Sequence, residues 1–323
     1  MTVTFARWIA AITVALPAAF AYAQPYPSKP LRFIVPFATG GASDSLARVV
    51  GQRLSERLGQ PVVVENRPGA GGVQAADFVA KAPADGYTIL IGDIGANAIA
   101  ASLFPKLPYD PLKDFAPINL AINLPIVLVV HPSVKAVNLK EMLAIARAEP
   151  GRLNYASAGN GGISHLAGEM LRDMASVNIT HIPYKGGAPG LADTIAGNTQ
   201  MMFVSVPTAQ PHIRANKVRA IAVTGPSRAR ALPEVPTMAE AGLPGYSSDS
   251  WGGMLAPAGT PREIIERLHR EIGEVLKTTE TRDRLTQMGF EVVGAGPAEF
   301  QSFLQTEVVK WTKVVRSAGV KAD

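Results

Sequence analysis

The chain has 323 residues, no cysteine, and 31 lysines and arginines against 26 aspartates and glutamates, which gives a formal net charge of +5. Without cysteine it can form no disulfide, thiol nucleophile or thiolate-bound metal site. The basic residues are scattered along the sequence and form no basic run interleaved with aromatic residues, which argues against a nucleic-acid partner.

Residues 1–23 have the features of a secretory signal peptide. Arg7 supplies the positive charge, residues 8–20 form a short apolar run, and Ala21-Tyr22-Ala23 is a small-residue cleavage signal. The apolar run is too short to span a membrane as a helix. We therefore predict cleavage near Ala23 and Gln24, export to the periplasm, and a mature chain of about 300 residues, the size of two domains or one large one.

Apolar strand-like runs then alternate with helical patterns, which is typical of an α/β fold with mainly parallel sheets. In a first lobe we predict strands at 31–35, 61–65 and 88–91, helices at 45–58 and 71–81, and a proline-punctuated loop at 105–117.

The first of these strands leads into a glycine loop with the sequence GGASD at residues 40–44. Two adjacent glycines permit a positive φ and a close approach of the backbone to a ligand. Ser43 or Asp44 could cap the following helix, whose first amides would then be directed at the loop. Such a strand, loop and helix unit predicts a binding site for an anion.

A second copy of this pattern follows, with GGISH at residues 161–165 after a predicted strand at 153–156. The similarity continues downstream, where Gly71-Gly72 follows the first copy and Gly186-Gly187 the second. This internal duplication predicts two related lobes, each directing a helix N-terminus into a cleft that closes on an anion.

The chain is predicted to cross between lobes twice. The apolar run at 124–131 makes the first crossing. In the second lobe we predict a helix at 139–147 and strands at 153–156, 179–183, 200–205 and 220–224. A proline-dense segment at 232–245 then leads back to the first lobe. A strand at 250–256 re-enters the first lobe. One helix then opens with Thr260 as its cap and Pro261 as its first residue, and another runs from Pro297 to about residue 318. We expect domain 1 to comprise 24–124 plus 247–323 and domain 2 to comprise 125–246, with a hinge of two crossing strands.

Catalysis has little support in the sequence. The segment around Ser157 does not match the Gly-x-Ser-x-Gly nucleophile motif. His165 and Glu169 lie four residues apart on a predicted helix, but without a second ligand pair a surface or capping role is favoured over a metal site. The other four histidines fall in separate contexts. We predict no enzyme activity, metal or cofactor, while a secreted hydrolase and a periplasmic sensor or adaptor for a signalling partner remain alternatives.

Neutral loop donors beside two helix N-termini suit a carboxylate ligand. These donors are Thr39, Ser43, Ser157, Asn160, Ser164, Tyr184 and Ser205. Lys185 could add a positive charge or be an ordinary solvated lysine. Asp44 is interpreted as a residue that fixes the loop, because a bare carboxylate would repel an anion.

The sequence resembles the extracytoplasmic solute receptors of the tripartite tricarboxylate transport family, the Bug-type receptors. The resemblance rests on YPSKPLR (26–32), VPF (35–37) with Gly40, Gly41 and Asp44, VENRPGAGG (64–72), PADGYT (83–88), IPYKG (182–186), LPEVPT (232–237) and APAGTP (256–261). These segments span the mature chain in the family's order. The resemblance implies a two-lobed Venus-flytrap monomer that passes a small carboxylate-bearing solute to the permease subunits of a membrane transporter.

In that family the loops corresponding to 37–44 and 157–164 hold one carboxylate, largely through backbone amides and ordered water. The resemblance extends the candidate ligand-binding set to Phe37, Thr39, Gly40, Gly41, Ser43, Asp44, Asn97, Ser157, Ala158, Gly159, Asn160, Gly161, Ser164, Tyr184, Lys185 and Ser205. One departure is Val204, which follows Met202 and Phe203 where the family often has an acidic residue. Its presence disfavours amino-acid ligands and leaves that end of the pocket apolar.

Overall fold

The structure is a computed structural model that describes residues 26–184 and 186–320, so the predicted signal peptide and Lys185 lie outside the described residues. Its strands are β1 (Leu31–Val35), β2 (Val62–Asn66), β3 (Thr88–Asp93), β4 (Phe115–Leu124), β5 (Ile126–Val130), β6 (Asn154–Ser157), β7 (Thr180–Pro183), β8 (Met201–Ser205), β9 (Arg219–Val223), β10 (Ser250–Pro257) and β11 (Glu291–Ala295). Its helices are α1 (Ala42–Leu58), α2 (Val73–Ala80), α3 (Ala100–Leu103), α4 (Leu139–Ala148), α5 (Ile163–Ala175), α6 (Gly187–Ala196), α7 (Val206–Arg214), α8 (Arg262–Lys277), α9 (Thr279–Gln287) and α10 (Pro297–Ala318).

Across the described residues the strands form two sheets, and we call each sheet with its helices a lobe. The first lobe has six strands in the order β11-β4-β10-β3-β1-β2, and the second has five in the order β7-β6-β8-β5-β9. Strand β1 runs parallel to β2 and β3, and β6 runs parallel to β7 and β8. The pairings of β10 and β5 are antiparallel. The predicted α/β class is confirmed, but the sheets are mixed rather than mainly parallel, because each combines parallel βαβ units with antiparallel crossing strands.

The two crossings between lobes lie side by side. Strand β4 ends at Leu124 in the first sheet, β5 begins at Ile126 in the second, and Leu124 pairs with Ser250 of the returning strand β10. The predicted continuous run at 124–131 is therefore two strands separated by Pro125, because proline lacks the N–H needed to continue a ladder.

One carboxylate ties these crossings together. Asp249 accepts hydrogen bonds from Asn123 Nδ2 at 2.9 Å, Thr224 Oγ1 at 2.8 Å and the Ile126 amide at 3.3 Å. These partners come from the end of β4, the start of β5 and the residue after β9. The segments that would have to bend during lobe movement therefore share one acceptor.

Several elements differ from the sequence expectations. The loop predicted at 105–117 ends early, because β4 begins at Phe115 and includes Pro117. Pro117 is tolerated because it lies beside a register shift, opposite Leu255, and β11 pairs with β4 only from Leu120 onward. Helices α7 and α9 and strand β11 were missed: α7 contains prolines at its start and at Pro211, and α9 is almost entirely polar.

The C-terminal helices pack as their apolar stripes predict. Phe300, Leu304 and Trp311 of α10 are buried, and α10 packs against both α3 of the first lobe and α5 of the second. The predicted cap of α8 is displaced by one residue: Pro261 is the N-cap, and the Thr260 hydroxyl donates instead to the Pro257 carbonyl at 2.8 Å. Within the described residues, no helix combines the length and apolar character required to cross a membrane.

Candidate ligand-binding site

The glycine pairs of the two loops adopt the same backbone conformation. Gly40 has a φ of +88° and Gly161 a φ of +70°, and each is followed by an extended glycine that is the N-cap of a helix, α1 or α5. A positive φ is readily adopted only by glycine. The N-caps are Gly41 and Gly162, and the expectation that Ser43 or Asp44 caps the first of these helices is wrong.

In the first loop, Asp44 holds the backbone in place. Its carboxylate accepts from the Gly40 amide at 2.9 Å, Arg48 Nε at 2.9 Å and Asn66 Nδ2 at 3.0 Å, and the side chain is almost fully buried. Asn66 also donates to the Phe37 carbonyl at 2.9 Å. The hydrogen bond from Arg48 lowers the pKa of Asp44 to about 2, and the bonds from Gly40 and Asn66 act in the same direction. Asp44 is thus fully engaged by its own loop.

In the second loop, side chains of α5 and β6 engage the backbone amides. The Gly161 amide donates to His165 Nδ1 at 3.0 Å, the Ala158 amide to Ser164 Oγ at 2.9 Å, and the Gly159 amide to Ser157 Oγ at 3.2 Å. Three of the amides predicted to face a ligand therefore have acceptors within their own lobe. The Ser164 hydroxyl is left able to donate.

Two histidines stack beneath this loop, contrary to the expectation that they occupy separate contexts. The rings of His165 and His181 have centroids 3.7 Å apart and an interplanar angle of 7°, and Tyr155 stacks on His181 at 5.0 Å. His181 Nε2 is 2.6 Å from Ser157 Oγ. The pKa of each imidazole is lowered to about 4, mainly by burial, and in His165 the neighbouring His181 and Arg172 contribute to that shift. Both rings are therefore neutral at pH 7, which lets His165 Nδ1 act as an acceptor.

Glu169, the carboxylate next to His165, interacts mainly with Tyr155 and Arg172. Its Oε1 accepts from the Tyr155 hydroxyl at 2.7 Å and lies 3.8 Å from His165 Nε2. Glu169 also forms an ion pair with Arg172. Among the residues that the structure describes, no group of three or more histidines, aspartates and glutamates could hold a metal ion.

Four other candidate side chains form hydrogen bonds with residues that are not in the candidate set. Thr39 Oγ1 donates to Asn66 Oδ1 at 3.3 Å, and Tyr184 Oη donates to Asp193 Oδ2 at 2.6 Å. Ser205 Oγ lies 2.7 Å from Thr208 Oγ1. Asn97 is fully buried; its Oδ1 accepts from the Asp93 amide at 3.2 Å, and its Nδ2 has no hydrogen-bond partner among the described residues.

A cavity of about 140 Å³ lies at the N-terminus of α1. The described residues that line it are Phe37, Gly41, Ala42, Ser43, Leu46, Asp93, Ile122, Leu124, Ser250, Trp251 and Gly252. The first amides of a helix have no acceptor within the helix, so the first turn of α1 can donate to an anion placed here. Of the candidate set, Phe37, Gly41 and Ser43 are thus brought to one cavity beside the hinge strands β4 and β10.

None of the described residues that line this cavity comes from the second loop. That loop instead contacts the first lobe at the end of α3. A Cβ added to Gly161 would lie 2.4 Å from Leu103 Cδ2, at the end of α3. The Tyr246 hydroxyl, on the return crossing, donates to the Ala167 carbonyl of α5 at 2.7 Å. The second loop and α5 are thus packed directly against the first lobe and the crossing.

The sequence interpretation missed Asp93, the last residue of β3. Its side chain is buried in the cavity wall, and its Oδ1 accepts from the Ala96 amide at 3.1 Å. Burial raises the pKa of Asp93 to about 6. The available signal was its position, because ligands in α/β folds bind beyond the carboxyl ends of parallel strands.

Comparisons with known proteins agree on one family. Residues 46–320 match the model described as the tripartite tricarboxylate transporter family receptor. Protein BugT of Bordetella pertussis is 38% identical over 300 residues, which cover 93% of this chain and 92% of BugT.

Solved structures give the same result. An R. palustris protein with adipate superposes with a TM-score of 0.81 at 37% identity, over 92% of this chain and 99% of that one. The protein MatC from Rhodopseudomonas palustris, with bound malate, gives a TM-score of 0.78 at 35% identity, over 90% of this chain and 100% of MatC.

Proposed function

Since the chain belongs to the tripartite tricarboxylate transporter receptor family, we propose that it is an extracytoplasmic solute-binding protein that captures a small carboxylate-bearing solute. Its α/β fold is that of the family's periplasmic receptors. The solute binds in the cleft between the lobes and is delivered to the permease subunits of a membrane transporter.

The observation that carries the proposal is the cavity at the N-terminus of α1. The 17-residue helix α1 begins at this cavity, and its first amides have no acceptor within the helix. The helix dipole also places about half a positive charge at that end. Charge-assisted hydrogen bonds to such amides are the strong interactions available to a carboxylate. The similarity to proteins with adipate and malate supports the same ligand class.

The two sheets support a division of the chain into two domains. We assign 24–124 with 247–323 to domain 1 and 125–246 to domain 2, with the hinge at the crossings tied by Asp249. Residues 1–23 serve as a cleaved signal peptide that delivers a monomer to the periplasm. The ligand favours the closed state only if it contacts both lobes, since equal affinity for two states shifts neither.

A binding function is better supported than catalysis. Ser157 is fully buried, and its hydroxyl is bonded to both His181 and its own loop. A nucleophile must reach its substrate, and this hydroxyl has no exposed surface. These contacts support a structural role for the Ser157 and His181 pair, and we propose that the protein is not an enzyme.

The proposal is tested by identifying what the protein retains from its own periplasm. Purified mature protein is unfolded, and the released small molecules are identified by mass spectrometry. We expect a carboxylate at close to one equivalent, and re-addition of that compound should raise the melting temperature. Recovery of an uncharged solute that stabilises the protein equally would overturn the proposal.

A further inference from the structure

The cavity at the N-terminus of α1 contains a negative charge that an anion-binding site does not need. Of the described residues that line it, Asp93 is the only charged one, and none is a lysine, arginine or histidine. The helix terminus favours an anionic ligand, whereas the Asp93 carboxylate repels one. A carboxylate held in a small cavity therefore meets one favourable and one unfavourable group.

The position of Asp93 is fixed from both sides. Its Oδ1 accepts from the Ala96 amide at 3.1 Å, and its own amide donates to Asn97 Oδ1 at 3.2 Å. No ion pair among the described residues includes Asp93, so its charge is balanced only by backbone dipoles. Burial accordingly raises the pKa of Asp93 to about 6, and the hydrogen bonds from Ala96 and Gly95 oppose that shift.

A buried carboxylate without a cationic partner is costly unless it receives hydrogen bonds. A ligand that carries a donor near its own carboxylate would supply one. A hydroxyl or an ammonium group meets this requirement, whereas a methylene group at the same carbon leaves Asp93 facing apolar atoms.

We propose that Asp93 is a specificity-determining residue that selects carboxylates bearing a hydroxyl or ammonium donor close to the carboxylate bound at α1. This inference rests on the proposed function and narrows its ligand class. Asp93 is the only charged acceptor among the described residues that line the cavity, so we expect its carboxylate to receive the ligand's donor.

The test uses two series of dicarboxylates that differ only at carbon 2. One is succinate, malate and aspartate, and the other is adipate, 2-hydroxyadipate and 2-aminoadipate. Each is titrated calorimetrically into the wild-type protein and into Asp93→Asn, which keeps the shape but removes the charge. Asp93→Ser is a second variant, because serine can still accept from a helix-start amide such as that of Ala96. Asp283→Asn, an exposed aspartate on α9, is the matched control.

In at least one series, the wild-type protein should bind the donor-bearing ligands roughly ten- to a hundredfold more tightly than the unsubstituted one. Both Asp93 variants should lose most of that preference, and they should bind the unsubstituted dicarboxylate more tightly than wild type because a repulsion is removed. The control should match wild type. Tighter binding of the unsubstituted dicarboxylate by the variants distinguishes a loss of ligand selection from a general disruption of the site, which would weaken the binding of every ligand alike.

Equal weakening of all ligands by Asp93→Asn and Asp93→Ser would show that Asp93 only caps the turn after β3, and would overturn the inference while leaving carboxylate binding intact. The inference would likewise be overturned if the wild-type protein preferred the unsubstituted dicarboxylate in every series that it binds. If no member of either series binds, the inference also fails, and the identity of the co-purified molecule then decides the proposed function separately.

Discussion

His165 Nδ1 accepts a hydrogen bond from the Gly161 amide at 3.0 Å, four residues earlier in the chain. In the first lobe, the Asp44 carboxylate accepts from the Gly40 amide at 2.9 Å with the same spacing. The two loops thus hold the same left-handed glycine with different acceptors, a neutral imidazole and an ionised carboxylate. Protonation removes the imidazole acceptor of His165 near pH 4, and it removes the negative charge of Asp44 near pH 2.

The second loop should make the protein sensitive to mild acid. His165 and His181 have pKa values of about 4 when folded and about 6.5 when unfolded, so the unfolded chain binds more protons between these values. Their contribution is complete above pH 6.5 and is lost as the pH falls toward 4. For His165 the loss at pH 5 is about 1–2 kcal/mol. The groups facing His165 are His181, Glu169, Arg172 and Tyr155.

The measurement is the free energy of unfolding in urea at pH 7 and pH 5 for wild type and His165→Gln. The variant should be less stable at pH 7 and should change less between the two pH values. His212→Gln on α7 is the control and should follow wild type. Because the pKa of Asp93 is raised in the folded protein, its protonation stabilises the fold as the pH falls, opposite to the histidines. Asp93 is present in wild type and variant alike, so the quantity to compare is the difference between their pH dependences. An identical pH dependence in wild type and His165→Gln would contradict this account.

The first loop should fail only in strong acid. Because the pKa of Asp44 is lowered to about 2, its contribution is present above pH 4 and is lost as the pH falls toward 2. Asp44→Asn should reduce the free energy of unfolding by on the order of 2 kcal/mol at pH 7, through loss of the Arg48 ion pair and the charge-assisted Gly40 bond. At pH 2 the variant and wild type should converge, as measured by urea unfolding. A difference that persists at pH 2 would mean that Asp44 acts by packing alone.

Alanine substitutions at the two left-handed glycines should differ in severity. Gly40→Ala and Gly161→Ala each carry a backbone cost of roughly 1–2 kcal/mol at positive φ. At Gly40 the new Cβ meets nothing within 4 Å, whereas at Gly161 it would lie 2.4 Å from Leu103 Cδ2 in the other lobe. Gly161→Ala should therefore be worse by roughly 1–3 kcal/mol, the cost of overpacking. The double variant Gly161→Ala, Leu103→Ala should recover part of that loss, measured by a double-mutant cycle of unfolding free energies. Simple additivity would rule out the contact as the cause.

Much of the first loop's role could be predicted from sequence, because glycine pairs, a strand and a helix start are local features. Gly40, Gly41 and Ser43 became candidates in this way; Gly41 and Ser43 line the cavity, and Gly40 and Gly161 share the positive φ that the repeated glycine pairs permit. The identity of the N-caps was not predictable, since Ser43 and Ser164 fit the sequence pattern of a cap as well as glycine does.

Features that depend on distant residues could not be predicted. The stack of His165 on His181 joins a helix and a strand 16 positions apart, and no spacing rule connects them. Asp93 becomes part of the cavity only when β3 is placed beside β10. Helix α9 escaped notice because Leu285 is its only fully buried apolar residue, too few for a periodic stripe.

The hinge should depend on Asp249. Asp249→Ala leaves the donors of Asn123, Thr224 and Ile126 without their shared acceptor, which should cost on the order of 2–4 kcal/mol in unfolding free energy. Gly225→Ala tests the same site without removing the carboxylate, because the new Cβ would lie 2.2 Å from Asp249 Oδ2. Small-angle scattering of both variants without ligand should show a wider distribution of lobe separations than wild type. Profiles that superpose on wild type would show that Asp249 does not restrain the crossings.

The central claim, that amides at the N-terminus of α1 hold a ligand carboxylate, is tested most directly by calorimetric titration with the co-purified acid and with its uncharged amide. Ser302→Ala, an exposed position on α10, provides a control that should bind as wild type does. Replacing the carboxylate by an amide removes the charge-assisted hydrogen bonds, so affinity should fall by roughly ten- to a hundredfold or more. If the amide binds wild-type protein as tightly as the acid, the helix terminus is not the anion site and the account is wrong.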